Sequence, residues 1–109
     1  MVLLTLLSPE VVGGGLGRAD LVALARRHEG GWEVERHEVG WGARHDTGAE
    51  GLHHARIARF LLDHGVRAVV AGHVGPGMTE VLQRMGVRIL NAQGALDAVL
   101  ARLPDDVGA

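Results

Sequence analysis

The stretch that most constrains this chain is residues 66–77, VRAVVAGHVGPG. Val66, Ala68, Val69, Val70 and Ala71 form a short apolar run with a single charge, Arg67. A run of that length, rich in β-branched residues and closed by glycine, fits a strand buried on both faces of a sheet. Behind it Gly72, Gly75 and Gly77 let the backbone turn sharply, and Pro76 fixes one φ angle within the turn. Residues 78–85 then have helical character up to Gly86. A central strand therefore hands a glycine-rich loop, bearing His73, to the start of a helix. In open α/β sheets ligands sit beyond strand ends of this kind.

The remaining elements follow from local patterns. Residues 2–7 are a second apolar run, read as a buried strand that ends at Ser8-Pro9, where proline cannot extend the ladder. Gly13, Gly14, Gly15 and Gly17 read as a flexible loop holding Leu16 and Arg18. Residues 20–27 suit a helix on propensity, but Glu29-Gly30-Gly31 is a turn signal and Trp32, Val34 and Val39 suggest an extended segment. A hairpin with arms at 21–27 and 32–39 is preferred. Residues 40–51 read as loop. Within them Thr47-Gly48-Ala49-Glu50 has capping-box spacing, which predicts a helix from about residue 48 to about residue 64, stopped by Gly65. On it Ile57, Ala58 and Leu61 share a face opposite Arg56, Arg59 and Asp63. Residues 87–91 form a short strand. Leu96, Val99, Leu100 and Leu103 mark a terminal amphipathic helix, with Pro104 ending it and 104–109 left as a frayed tail. The order is strand, hairpin, helix, strand, helix, strand, helix. That predicts an α/β domain over residues 1–103 with a mixed five-stranded sheet and about three helices.

Composition removes several functions. At 109 residues, 47% hydrophobic and 22% charged, the chain is one globular domain. Aromatics make up only 3% and the formal charge is −2, which argues against nucleic acid as a partner. There is no cysteine, so disulfides, thiol catalysis and iron–sulfur ligation by the chain's own thiolates are excluded together. The opening apolar run is too short to span a bilayer, and a cytoplasmic monomer is expected. Neither the first nor the central strand carries a carboxylate, which disfavours a two-metal nuclease, and no nucleophile elbow surrounds Ser8. Catalysis is not indicated.

What the chain does have is 7 histidines and 17 glycines. His53 and His54 fall in the first turns of the predicted helix. Adjacent helical residues point about 100° apart, so the pair does not chelate one ion as an i, i+4 pair would. One of them is nevertheless expected to face the loop end of the sheet, joined there by His45 and His73. Neutral imidazole suits zinc, copper or iron and can cap a preassembled cluster. The plain alternative makes His54, close to Leu61 on the wheel, a core-edge residue. His37, among Glu33, Glu35, Arg36 and Glu38, reads as a solvated strand face, and His28 and His64 as turn flanks. The Gly13 to Gly17 loop lacks a Walker ending and the dinucleotide spacing. Arg18 on it suits an anion, or else is a structural arginine on a mobile loop. Gly75-Pro76-Gly77 opening a helix offers amide donors to an anion, or is a turn needed for packing. Met78 reads as packing, with soft-metal ligation as the alternative.

Three stretches resemble the dinitrogenase iron–molybdenum cofactor biosynthesis family, nitrogen-fixation accessory proteins with a ribonuclease H-like fold. They are Gly17-Arg18-Ala19, residues 48–65, and residues 66–90 with AGHVGPGMTEVLQRMGVRIL. The resemblance spans residues 1–103. It implies a three-layer ribonuclease H-like fold and a non-enzymatic carrier or chaperone. Its cargo would be an iron–sulfur or iron–molybdenum-type cluster or precursor, passed to a recipient metalloprotein. The expected mouth is Gly17, Arg18, His45, His53, His54, His73 and Gly75, with the four histidines as metal ligands. The chain departs from the family at Gly15 and Leu16, where a histidine and an aromatic residue often stand. That departure motivates the alternative of an interaction or regulatory module that has lost its cofactor. A third reading is an enzyme acting on a small anion at Arg18 and the Gly75 loop.

Overall fold

The computed structural model describes residues 1–44 and 50–109. Strand β1 (Val2–Ser8) is followed by the two-residue β2 (Val11–Val12) and a 3-10 turn at Leu16–Arg18. The hairpin comes next, β3 (Leu21–His28) and β4 (Gly31–Glu38), then the one-turn α1 (Trp41–Arg44) and the helix α2 (Glu50–Asp63). The chain closes with β5 (Ala68–Ala71), α3 (Pro76–Met85), β6 (Arg88–Asn91), β7 (Gly94–Ala95) and α4 (Leu96–Arg102).

The five longer strands are those the sequence predicts, and they form one mixed sheet. β3 lies antiparallel along one edge of β1, with β4 antiparallel beyond it. The other edge of β1 is shared. Val2, Leu3 and Leu4 pair parallel with β5, which in turn pairs parallel with β6. Leu6 and Ser8 pair with β2 across an irregularity, and β2 carries β7. These two extra strands bring the sheet to seven rather than five. Two-residue strands have no periodicity to read, and exist only because a neighbour supplies the ladder.

Alternation along the strands builds two cores. Leu3, Val22, Leu24 and Val69 face α2 and α3, where Ile57, Leu61, Met78 and Leu82 meet them. Val2, Leu4, Leu6, Ala23 and Val70 face α4, where Leu96, Val99 and Leu100 meet them. The sheet is thus covered on both sides, which is why β1 and β5 are nearly continuous apolar runs rather than alternating ones.

Several expectations are corrected. Residues 13–18 are not a loose loop, being pinned by the backbone hydrogen bonds described below. The stretch read as loop after Val39 begins with α1, because the buried Trp41 docks there and its N–H donates to Ala19 O at 2.9 Å. His37 is half-buried, its ring 5.8 Å from that of Phe60 and 5.4 Å from that of His64, so these residues join the hairpin to α2 instead of facing solvent. The tail is not frayed. Arg27 donates from Nε to Val107 O at 2.8 Å and from Nη2 to Pro104 O at 2.8 Å, and Val107 is only 2% exposed. The capping-box residues Thr47, Gly48 and Ala49 lie outside the described residues.

Candidate functional site

β1 and β5 are parallel neighbours, so the segments leaving their carboxyl ends emerge side by side. The first runs through Gly13–Gly15 into the 3-10 turn, the second from Gly72 to Gly75. Gly72 N–H donates to Gly14 O at 3.0 Å, and Leu16 N–H donates to His73 O at 3.0 Å. Gly15 and His73 form an isolated parallel bridge. Contact is close enough that a Cβ on Gly72 would lie 3.0 Å from Gly14 N and 3.2 Å from Gly14 O. The two glycine-rich segments are one laced structure.

α2 supplies the next wall. His53, Ile57 and Leu61 recur at i, i+4 and i+8 and are all buried. His53 is only 4% exposed, and its Nε2 lies 2.7 Å from Gly17 O. A carbonyl only accepts, so Nε2 carries the proton and donates, tying α2 to the turn that bears Arg18. The wheel argument singled out His54 as the core-edge residue, but His53 is the buried one. What covers that face near the helix start is the 3-10 turn and not the sheet, which no helical wheel reveals.

α3 closes the other side. Its N-cap is Gly75, with φ −65° and ψ 160° and no side-chain cap, and Pro76 occupies the first turn. Proline has no N–H to leave unpaired, and the next amides, of Gly77 and Met78, are among those that an α-helix leaves without intrahelical partners. The 3-10 turn, α2 and the α3 start enclose a cavity of about 440 Å³. Of the residues named from sequence, Gly17, Arg18, His53, His54, His73 and Gly75 all line it. His45 lies outside the described residues. Leu16 and Gly15 line it as well, which the sequence reading missed. The available signal was that two glycine clusters each follow an apolar strand. Met78 packs in the core beneath, 3% exposed, as its packing reading had it.

Among the described residues, no three histidine, aspartate or glutamate side chains gather closely enough to hold a metal ion unaided. Among the described residues, His53, His54 and His73 line one cavity without forming a three-ligand centre. No helix among the described residues is long and apolar enough to cross a membrane.

Comparison with known proteins agrees with this picture. No curated protein is significantly similar in sequence. The fold matches that of the crystal structure of PH0822, with a TM-score of 0.71 and 18% identity over 91% of this chain and 83% of that one. At that identity the likeness concerns the fold alone. A family model, described as dinitrogenase iron-molybdenum cofactor, matches residues 8–105, from the end of β1 past α4 and so across every wall of the cavity. The chain belongs to the dinitrogenase iron-molybdenum cofactor family.

Proposed function

We propose that this chain is a small non-enzymatic carrier that holds an iron–sulfur or iron–molybdenum-type cluster, or a precursor of one, and passes it to a recipient metalloprotein. The observation that carries the reading is that Gly17, Arg18, His53, His54, His73 and Gly75 all line one cavity, in a chain whose family handles that cofactor. His45 belongs to the same proposed ligand group. The chemistry suits transfer. With no cysteine, the protein has no thiolate to offer a cluster, and its imidazoles are monodentate neutral ligands that exchange readily. Amides at the α3 start and the Arg18 guanidinium complement negative charge on the cargo's surface. On this reading the carrier works as a cytoplasmic monomer.

The competing reading is an interaction module of the same fold that has lost cargo binding. It is favoured by the engagement of His53 Nε2 with Gly17 O, and by Gly15, without a side chain, lining the cavity where the family often has a ligating histidine. One experiment separates the two. The purified chain is incubated anaerobically with isolated iron–molybdenum cofactor, desalted, and read by absorbance and elemental analysis. A carrier retains iron and molybdenum, and His54→Ala with His73→Ala together lower retention at least tenfold. Retention unchanged in that double variant rejects the histidine rim, and no retention by the wild type favours the interaction module.

A further inference from the structure

We infer that the free edge of β6, with the groove between it and α4, docks an extended peptide segment of a partner protein, one that carries an apolar residue and, two positions on, a carboxylate side chain. β4 and β6 close the two ends of the row β4-β3-β1-β5-β6, and they are unlike. β4 is blunted by charge, with Glu33, Glu35, Arg36 and Glu38 along it. Charges of that density discourage another strand from pairing. β6 has no such protection. It is regular against β5, contains no proline, and its one charge, Arg88, is taken by Asp106 at 3.0 Å. The ladder fixes which backbone groups face outwards. Arg88 N–H donates to Arg67 O at 3.0 Å and Ala92 N–H to Ala71 O at 3.2 Å, so the residues of this alternate set spend their amides on β5. Ile89 and Asn91 between them turn their N–H and C=O groups the other way, and among the described residues nothing pairs with those groups.

An open edge by itself says little. Beside this one, on the α4 side of the sheet, lies a groove of about 340 Å³ whose apolar lining includes Leu90, Val99 and Leu103. The side chains of an added strand alternate between its two faces, so every second residue enters the groove. The groove also holds a cation. Arg102 lines it, and among the described residues its guanidinium meets no carboxylate. Its Nε donates to Ala98 O at 3.2 Å, which leaves the terminal nitrogens free. Asn91 and Gln93 bring carboxamide donors to the same groove. Such donors beside apolar side chains complement a carboxylate that follows an apolar residue on one strand face, about 7 Å further along. A second copy of this chain fits less well, since the strand it brings edge to edge is β6 itself, which holds an arginine and no carboxylate. No described residue lines both this groove and the cavity, so a partner docked here leaves the cavity uncovered.

The test is an NMR titration of the isotope-labelled full chain with the peptide Thr-Thr-Leu-Thr-Glu-Thr-Thr, acetylated and amidated so that the glutamate is its sole carboxylate. Saturable shifts centred on the amides of Ile89 and Asn91 are expected, with affinity tenfold or more weaker in Arg102→Ala. Arg102 is exposed, so that variant keeps its fold. Glutamine in place of the peptide's glutamate is expected to weaken binding to the wild type by a similar factor and to change nothing in Arg102→Ala, because the two charges meet. Methylating every second backbone nitrogen of the peptide gives two variants. The one that removes the donors facing β6 is expected to lose binding and the other to keep it, whereas a peptide held by side chains alone tolerates both. That tolerance, the absence of saturable shifts, or equal affinity in wild type and Arg102→Ala overturns the inference. A dimer in sedimentation that Leu90→Lys dissociates puts a second copy on the edge and overturns it as well.

Discussion

His53 and His54 are neighbours in sequence with different surroundings. His53 is buried and spends its Nε2 hydrogen on Gly17 O, whereas His54 remains at the cavity wall half-exposed. The contrast shows how one residue's chemistry is set by what lies opposite it. Gly72 is the other decisive residue, because its missing side chain lets two backbones touch. A Cβ there would press on Gly14 N and O at 3.0 and 3.2 Å, both backbone atoms, and Gly14 O already accepts from Gly72 N–H. Overpacking of that kind costs about 1–3 kcal/mol. Gly72→Ala is thus expected to lower the unfolding free energy measured in urea by that amount and, by parting the two segments, to weaken cargo retention as well. Retention undiminished in a destabilised Gly72→Ala would mean that the lacing serves stability only.

At the level of elements, α3 has its stop written into its residues. Gly86 has φ +73° and its N–H returns to Gln83 O, while Val87 N–H reaches Leu82 O at 2.9 Å, closing the helix in a left-handed turn. Glycine takes that conformation without the penalty other residues meet, so the sequence announces the end of α3 correctly. The C-terminal segment obeys no such local rule. It is strapped to β3 by Arg27, which donates to the carbonyls of Leu103, Pro104 and Val107 and stacks on Trp32 at 4.4 Å. Hydrogen bonds to a charged group are worth about 1.5–3 kcal/mol in net stability, so Arg27→Ala is expected to cost roughly that much. It should also open the segment after Pro104 to limited proteolysis. Protection equal to wild type would show that burial of Val107 alone holds the tail.

Across the whole molecule, the sheet separates the cavity from α4. Its radius of gyration of 12.9 Å is near the value of about 13 Å expected for a single folded domain of this length. One face carries α2 and α3, which wall the cavity, and the other carries α4, which does not approach it. Leu82 and Leu96 are buried equivalents on the two sides, 0% and 1% exposed. Truncating either to alanine is expected to cost about 2–5 kcal/mol in chemical denaturation. Only Leu82→Ala should also reduce cargo retention at temperatures where the protein is still folded, because it loosens α3, the helix that closes the far side of the cavity. Equal retention losses in both would mean that binding follows global stability and not the α3 wall.

The residues by themselves determined the five long strands, the face of α4, the end of α3 and the glycine–proline turn before it. Each of these depends on spacings within a few residues, and such spacings are fixed by helix and strand geometry alone. They also named six of the cavity's lining residues, because glycine, arginine and histidine at strand ends carry their chemistry wherever the chain goes. Tertiary structure decided the rest: that Gly72 meets Gly14, that His53 and not His54 is buried, that β2 and β7 exist, and that Arg27 captures the tail. Those outcomes depend on partners tens of residues away, brought together by the pairing of β1 with β5 and by helices packing on both faces of the sheet, and no local pattern encodes which partner arrives.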